Sequence, residues 1–282
     1  MKVLPFTIPK PKRDSLILQE DKGASFYASL HQHEELQISY IKQGEGTLLV
    51  GDTVSFYKAG DIIVLGENLP HVFKSDVVKS DVSIMLSIFF TKHSFGSTFF
   101  DTEELKSLRS FFKKAENGFK ISNINSSISS PFEKLYAQSK LDRFITFFTL
   151  LKGINKQSYE SLSSFVSTKK YNDAEGKRMS AVFEYTINNY QREISLAVIA
   201  REAAMTKNAF CKYFKKRTNK TYVTFLNELR IEEACKMLQT QQELSVAEVA
   251  ESSGFQNISN FNRKFKGLKG KTPREYRKVY NP

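Results

Sequence analysis

The stretch from Ser245 to Arg277 constrains the fold more than any other part of this 282-residue chain. Ser245 and Glu248 have the S-x-x-E spacing of a capping box, so the sequence predicts a helix that begins near Val246. Gly254 can adopt a positive φ without steric cost, which suits a sharp turn into a second helix. Three residues then supply the start signals of a last helix: Thr272, Pro273 and Glu275.

The helix after this turn is predicted to have two chemically different faces. Apolar side chains recur at spacings of four and three and predict one buried stripe, formed by Phe261, Phe265 and Leu268. The opposite face carries groups suited to base edges and phosphates: Ser259, Asn262, Arg263 and Lys266. This pattern favours a helix-turn-helix unit that contacts nucleic acid.

A similar unit lies upstream, so the stretch is the second copy of an internal repeat. Ile199-Ala200 matches Val249-Ala250 at an offset of 50 residues. FKKRTNKT from Phe214 matches FKGLKGKT from Phe265 at an offset of 51 residues. One residue has therefore been added at the second turn. The first unit is predicted to start at Ser195.

The first unit is predicted to turn at Ala204-Met205 and to continue as a helix over 207–217, with Thr206 as N-cap. Its apolar stripe is predicted to comprise Phe210, Phe214 and Tyr213, and its polar positions are Asn208, Cys211, Lys212 and Lys215. Between the two units, 224–238 reads as one helix with apolar positions at Phe225, Leu229 and Leu238. At 1.5 Å per residue it would be about 22 Å long.

The charge is concentrated in the part of the chain that holds the repeat. The net charge is +12; residues 175–282 contain 20 Lys and Arg against 11 Asp and Glu, while the remaining residues contain 22 against 19. Such an excess is the electrostatic footprint of nucleic-acid binding, with a basic but idle surface as the alternative.

The sequence predicts a cytoplasmic protein without membrane segments. The longest apolar-rich run, 82–90, is too short to span a bilayer, and the N-terminus lacks the apolar region of a secretory signal. Two cysteines, Cys211 and Cys235, do not make a disulfide framework, and we expect both to be small buried or half-buried side chains.

The N-terminal half reads as short strands followed by helices. Residues 1–25 suggest an extended arm or an edge strand. Apolar residues then alternate from Leu36 to Tyr40, Gly51-Asp52 marks a hairpin, and 62–65 and 82–90 continue the strands. This pattern is typical of a small antiparallel barrel or jelly roll.

Two amphipathic helices are predicted after the strands. Their stripes are Leu105, Leu108, Phe112 and Ala115, and then Leu141, Phe144, Phe148 and Leu151. Ile145 and Phe147 fall outside the second stripe, so this helix is predicted to contact a second copy of the chain, with packing within one domain as the alternative. A Ser- and Lys-rich linker is expected over 157–176.

Residues 178–280 resemble the DNA-binding domain of the AraC/XylS family of bacterial transcription regulators. The resemblance rests on LAVIAREAAMTKNAFCKYFKK, LRIEEACKML and VAEVAESSGFQNISNFNRKFKGLKGKTPREYR. It implies seven helices, with two helix-turn-helix units joined by a long helix. Base-reading positions of the family fall on Asn208, Cys211, Lys212, Ile258, Ser259, Asn262 and Arg263. Ala204 stands where the family has glycine, so we expect a less tight first turn.

The N-terminal half is similar to the cupin-type sensor domains of the same family. His31-x-His33 with Gln37 and Gly44 keeps the spacing of the first cupin motif, and 60–71 keeps that of the second. The family's metal ligands would be two His, a Glu and a His. Gln37 replaces the carboxylate with a weak neutral ligand, so we expect no metal or other cofactor. Four residues are predicted to line an effector pocket: His31, His33, Gln37 and His71.

The sequence therefore predicts an α+β protein with four parts: an arm and cupin-like antiparallel β-barrel (1–100), a helical dimerisation or packing segment (101–156), the linker (157–176) and an all-α DNA-binding domain (177–282). We expect a homodimeric, non-enzymatic regulator, an activator by family tendency, whose partners are double-stranded DNA, an unknown small-molecule effector and RNA polymerase. The arm is expected to influence the effector response. Two alternatives stay open: a metal-dependent cupin enzyme with an appended DNA-binding domain, and a constitutive DNA-binding protein with a ligand-free dimerisation barrel.

Overall fold

The computed structural model describes residues 14–77, 81–164 and 173–280. These residues form two compact units, which divide between Gly176 and Lys177. Across the described ranges, no helix is long and apolar enough to cross a membrane.

The N-terminal unit contains two antiparallel sheets. Its strands are β1 (Ile17–Gly23), β2 (Leu36–Gln43), β3 (Gly46–Val50), β4 (Thr53–Tyr57), β5 (Ile62–Leu65), β6 (His71–Ser75), β7 (Ser83–Phe90), β8 (Phe119–Ile121) and β9 (Glu160–Ser161). The larger sheet has the order β1-β7-β2-β5-β8-β9 and the smaller one β4-β3-β6. The predicted antiparallel cupin-like region, including the hairpin at Gly51-Asp52, is confirmed.

Strand β1 lies at an edge of the larger sheet and pairs with β7 over seven residue pairs. The edge-strand reading is therefore confirmed for this part of the expected arm. Residues 1–13, the remainder of the arm, lie outside the described residues.

Both faces of the larger sheet are buried at its central strands β7, β2 and β5, because helices cover one face and the smaller sheet covers the other. Leu36 and Ile38 of β2 belong to the core on the helical side. Ile41 belongs to the core between the sheets, together with Leu48 and Phe73. Since successive side chains of a strand point to opposite faces, Gln37 and Ser39 share the inner side with Ile41.

The helical segment contains α1 (Arg109–Ala115), α2 (Ser126–Lys134) and α3 (Lys140–Asn155), with 3-10 helices at Phe99–Asp101, Glu103–Leu108 and Leu135–Ala137. The first predicted helix is thus split, because its initial part is 3-10 rather than α. Helix α2 and strands β8 and β9 are absent from the sequence-based interpretation.

The predicted stripe of α3 is wrong at its first position. Leu141 is 68% exposed and Ile145 is 56% exposed, whereas Phe147 is completely buried. The helix is therefore rotated relative to the prediction, and Phe147 packs on Phe90 of the sheet with ring centroids 4.8 Å apart.

Part of the predicted linker is structured. Glu160–Ser161 forms β9 against β8, and Leu162 is buried in the core between the sheets. At the other end of the predicted linker, the first helix of the C-terminal unit already begins at Asp173. Residues 165–172 lie outside the described residues.

The C-terminal unit consists of seven helices, as the family resemblance implies. They are α4 (Asp173–Asn189), α5 (Leu196–Glu202), α6 (Lys207–Thr218), α7 (Tyr222–Thr240), α8 (Val246–Ser252), α9 (Ile258–Lys269) and α10 (Pro273–Tyr280). The starts of α5 and α8 differ by 50 residues and those of α6 and α9 by 51. The predicted repeat and the residue inserted at the second turn are both confirmed.

The two turns share a positive φ at the equivalent residue and the same hydrogen-bond pattern, which contradicts the expectation of a looser first turn. Ala204 has φ 51° and Gly254 has φ 90°. The amide of Met205 donates to the carbonyl of Ala200 at 2.9 Å, and Phe255 donates to Ala250 at the same distance. Alanine therefore accepts the left-handed conformation here.

Two predicted stripe residues in this unit lie elsewhere. Leu268, expected in the buried stripe of α9, is 45% exposed, and Tyr213 of α6 is only half-buried. Phe210 and Phe214 of α6 and Phe261 and Phe265 of α9 are fully buried, as predicted. The two aromatic residues of each helix therefore anchor it.

Candidate nucleic-acid interface and ligand site

Both α6 and α9 begin at side-chain caps. Thr206 Oγ1 accepts the amide of Ala209 at 3.3 Å, and Asn257 Oδ1 accepts the amide of Asn260 at 3.0 Å. Because a cap satisfies amide groups that lack an intrahelical partner, it fixes where each helix starts and which side chains face outward.

The outward faces of α6 and α9 hold all of the predicted DNA-contacting residues. Every one of them is exposed: Asn208, Cys211, Lys212, Lys215, Ile258, Ser259, Asn262, Arg263 and Lys266. The expectation of a buried or half-buried Cys211 is wrong, whereas Cys235 is buried as expected. The buried phenylalanines lie on the opposite side, so each helix presents a polar face that is not used in folding.

Arg263 on the α9 face is oriented by a hydrogen bond within the helix. Its Nη2 donates to Asn260 Oδ1 at 3.1 Å, one helical turn away. Asn260 was missed by the sequence reasoning, although its i, i+3 spacing from Arg263 is the available signal. A guanidinium oriented in this way retains donors for the O6 and N7 atoms of guanine or for a phosphate.

Exposed cations reinforce both faces. On α6, Lys207, Lys212, Lys215 and Lys216 are all exposed. On α9, Lys266 is exposed, whereas Lys269 forms an ion pair with Glu232 of α7. Lysines without a carboxylate partner in the fold are suited to replace the counterions of a phosphate backbone.

The N-terminal unit brings the four predicted pocket residues together, and the three histidines among them form a cluster. The ring nitrogens of His31, His33 and His71 lie within 4.8 Å of one another. His33 and His71 are buried and His31 is half-buried. A backbone bridge pairs His31 with His71, which holds the segment before β2 against β6.

Hydrogen bonds to the main chain fix the orientation of these rings. Each Nδ1 lies 2.8–2.9 Å from a carbonyl oxygen, that of Ser29 for His31, Glu35 for His33 and Leu69 for His71. A carbonyl oxygen can only accept, so each Nδ1 carries the proton. A neutral ring then has its lone pair on Nε2, which is the arrangement of metal-binding histidines.

Gln37 adjoins this cluster without being part of it. Its Oε1 lies 3.0 Å from His33 Nε2, and its Nε2 lies 2.7 Å from Ser39 Oγ. Since a lone pair on His33 Nε2 would repel the amide oxygen, a neutral His33 requires the amide turned over, with its NH2 group donating to the ring. The three imidazoles would fit a transition-metal ion once Gln37 gives up this hydrogen bond, because the ion needs the same lone pair on His33 Nε2, and Gln37 itself is only a weak ligand.

A chain of buried polar groups continues from Gln37 across the larger sheet. Ser39 Oγ lies 2.7 Å from Ser87 Oγ. The backbone amide of Ser87 donates to the hydroxyl of Tyr136, which itself donates to the carbonyl of Gln19 at 2.7 Å. Burial raises the pKa of Tyr136 further above neutral pH, and its protonated hydroxyl can both accept from Ser87 and donate to Gln19. The histidine cluster is thereby connected to the helical segment.

A cavity of about 280 Å³ lies outside the histidine cluster, near the start of α3. It is lined by Asp14, Ser15, Leu16, Phe95, Lys140, Arg143 and Phe144. None of the four predicted pocket residues lines this cavity, so it is separate from the predicted effector pocket.

Two family models match the chain in the regions that contain these sites. A cupin domain matches residues 18–89, and a helix-turn-helix domain matches residues 199–279. The chain combines a cupin domain with a helix-turn-helix domain of the AraC type. The histidine cluster lies in the cupin domain, and both turns lie in the AraC-type domain.

Similar proteins align with this chain over different lengths. An uncharacterised HTH-type transcriptional regulator of Bacillus subtilis, YdeC, is 31% identical over 102 residues, which are 36% of this chain and 35% of that protein. A second, from the 5′ region of cgkA in Pseudoalteromonas carrageenovora, is 33% identical over 97 residues, which are 34% of this chain and 57% of that protein.

The match therefore spans between about a third and somewhat more than half of these two relatives. The HTH-type transcriptional activator RhaS of Pectobacterium carotovorum aligns over more of the chain. It is 23% identical over 262 residues, which cover 88% of this chain and 86% of that protein.

Proposed function

We propose that this protein is a transcription regulator that binds duplex DNA through α6 and α9. The observation that carries this proposal is that all nine predicted contact residues are exposed on two capped helices, opposite their buried aromatic anchors. Helix α7 has 19 residues and is about 28 Å long, which is comparable to the 34 Å between successive major grooves on one side of DNA. One chain could thus contact two adjacent grooves.

Selection of bound sequences from a random DNA pool by the full-length protein tests this proposal. We expect enrichment of a bipartite motif and an affinity that falls steeply with salt, because Lys and Arg displace counterions. Recovery of no motif, together with binding that does not depend on sequence, would contradict it.

We further propose that the cupin domain senses a ligand and changes DNA binding in response. A ligand shifts the regulator only if it binds one conformational state better than another. The hydrogen-bond chain from His33 to Tyr136 supports a connection between the ligand site and the helical segment. Screening metabolites for altered affinity on the selected DNA tests this; an unresponsive domain would favour the constitutive alternative.

A divalent transition-metal ion is a second candidate for this ligand, favoured by the convergence of His31, His33 and His71. Their Nε2 atoms would hold Zn²⁺, Ni²⁺ or another ion that prefers imidazole. Such an ion would tie the segment before β2 to β6. A change in DNA affinity on addition of metal would indicate a metal sensor. Turnover of a substrate by the metal-loaded protein would instead support the alternative of a cupin enzyme. We propose a regulator without enzymatic activity.

We propose that the protein forms a homodimer through α3. Leu141 and Ile145 are one turn apart and both exposed, so they form an apolar patch that a second copy could cover. Sedimentation of Leu141→Lys/Ile145→Lys should show monomers. The similarity to the activator RhaS supports activation, with RNA polymerase as the partner, and in vitro transcription from the selected motif tests this point.

A further inference from the structure

Arg230 lies at the centre of α7, where the two helix-turn-helix units meet. Its Nε donates to the carbonyl of Tyr190 at 2.8 Å, and its Nη2 donates to the carbonyl of Arg192 at 2.7 Å. Both carbonyls belong to the turn between α4 and α5. Its guanidinium carbon lies 5.9 Å from the centre of the Phe255 ring, just beyond the second turn. One side chain thus contacts both units.

These contacts join two separate cores. The turn at 190–192 follows α4 and belongs to the first helix-turn-helix unit. Phe183 of α4 packs in the core of that unit, on Phe214 of α6 and Phe225 of α7. Phe255 belongs to the second unit and packs on Phe261 of α9 with ring centroids 5.3 Å apart. Without the contacts of Arg230, α7 would be the principal connection between α6 and α9.

Gly254 shows how closely the second turn approaches the first unit. A Cβ at this position would lie 2.4 Å from the carbonyl oxygen of Tyr190 and 2.9 Å from Arg230 Nε. Only glycine permits the turn to press against this carbonyl. The close approach, the two charge-assisted hydrogen bonds and the ring contact therefore act at one point.

We propose that Arg230 is a positioning residue that fixes the angle and separation of α6 and α9. It thereby sets the accepted spacing between the two DNA boxes, which are the two halves of the bipartite motif, one bound by each helix. This inference rests on the proposed DNA-binding function. A rigid link raises the effective concentration of the second reading helix at one box spacing and lowers it at others. Loss of the link should broaden the accepted spacings.

Arg230→Met is the informative variant, since methionine keeps an apolar stem beside Phe255 but has no hydrogen-bond donor. Glu232→Gln is the matched control: it lies two residues away on α7 and weakens an ion pair with Lys269 that stays within the second unit. If Arg230 contributes only stability, both variants should lower affinity at all spacings by a common factor.

The experiment measures full-length protein on selected bipartite DNA and on derivatives with two base pairs inserted or deleted between the boxes. Two base pairs rotate one box by about 70° relative to the other. For the wild-type protein and Glu232→Gln, we expect the affinity for DNA of altered spacing to be about a hundredfold lower than for DNA of the selected spacing. For Arg230→Met, we expect this difference to be about tenfold at most. Both values are on the order of the changes in effective concentration that a rigid link produces. Wild-type spacing selectivity in Arg230→Met would overturn the inference.

A distance measurement without DNA gives an independent outcome if the variant binds poorly. Spin labels on the exposed native Cys211 and on Ser259→Cys report the separation of α6 and α9, while Cys235 is buried. We expect a narrow distribution of the distance between the two labels in the wild-type background and a broader one with Arg230→Met. An unchanged distribution would contradict the proposed positioning role of Arg230. Failure of the wild-type protein to bind any selected DNA would instead refute the proposed function.

Discussion

Ala204 and Gly254 both have a positive φ at equivalent positions of two turns, but Ala204 is exposed, whereas Gly254 lies against the carbonyl of Tyr190. The space for a Cβ at Gly254 is occupied by the carbonyl of Tyr190. Ala204 has only the intrinsic cost of its positive φ, which is about 1 kcal/mol for a residue with a Cβ. The repeat has therefore kept one backbone geometry for two different physical reasons.

Opposite stability effects are expected from exchanging these two residues. Ala204→Gly should stabilise the C-terminal unit by about 0.5–1 kcal/mol, because it removes backbone strain. Gly254→Ala should destabilise it by about 2–4 kcal/mol, since both strain and a clash with backbone are introduced. Urea unfolding followed by circular dichroism measures both, and a neutral Gly254→Ala would contradict the close approach.

Arg263 and Lys266 should make different contributions to DNA binding. Arg263→Ala is expected to cost about 1–3 kcal/mol on the selected sequence and to relax the preference at one base pair. Lys266→Ala should lower the affinity for all DNA sequences equally. It should also reduce the slope of log affinity against log salt concentration by about one. Gel-shift titrations at several salt concentrations separate these outcomes.

The same titrations rank the two helices. We expect α9 to carry at least half of the sequence specificity, because Ser259, Asn262 and Arg263 hydrogen-bond better than Cys211. A greater loss of base preference with Asn208→Ala and Lys212→Ala than with Asn262→Ala and Arg263→Ala would reverse that ranking.

Alkylation should distinguish the two cysteines. Cys211 is exposed on the α6 face, whereas Cys235 is buried and its thiol pKa is raised to about 12 by that burial. N-ethylmaleimide at pH 7.5 should therefore modify one thiol quickly and lower DNA affinity at least tenfold by obstructing α6. Cys211→Ser should bind DNA and resist this inhibition; equal sensitivity of that variant would show that Cys211 is not responsible.

Metal binding by the histidine cluster can be measured without any activity assay. The candidate predicts that Zn²⁺ or Ni²⁺ raises the melting temperature of the wild-type protein, because ligation stabilises the folded state. His33→Ala and His71→Ala should lose this effect. His93→Ala, which alters a histidine outside the cluster, is the matched control, and an equal shift in all variants would exclude the cluster as the site.

Burial raises the pKa of Asp61, whose carboxylate accepts the amide of Lys58 at 3.0 Å. A raised pKa means that the folded state gains stability below the unfolded value of 3.8, and loses it as pH rises through the folded value. Asp61→Asn cannot ionise, so its stability relative to wild type should be highest near pH 7 and decline on acidification. A constant difference from pH 7 to pH 4 would contradict this.

The sequence by itself determined the elements whose signals are local. The capping box of Ser245 and Glu248 is formed as predicted, with the amide of Ser245 donating to the Glu248 carboxylate at 2.7 Å. The same holds for the caps at Thr206 and Thr272 and for the hairpin at Gly51-Asp52. These signals act between residues within about one helical turn, so they depend little on the packing of distant parts of the chain.

Only the tertiary structure decided which apolar residues are buried and which polar residues meet. Leu141 and Leu268 fit a helical stripe but are exposed, because no element within 14–77, 81–164 and 173–280 covers them. His71 joins His31 through the pairing of distant segments, and Arg230 finds its carbonyl partners some 40 residues earlier in the chain. Periodicity fixes the spacing of side chains along one element, whereas packing between elements chooses the side of each that turns inward.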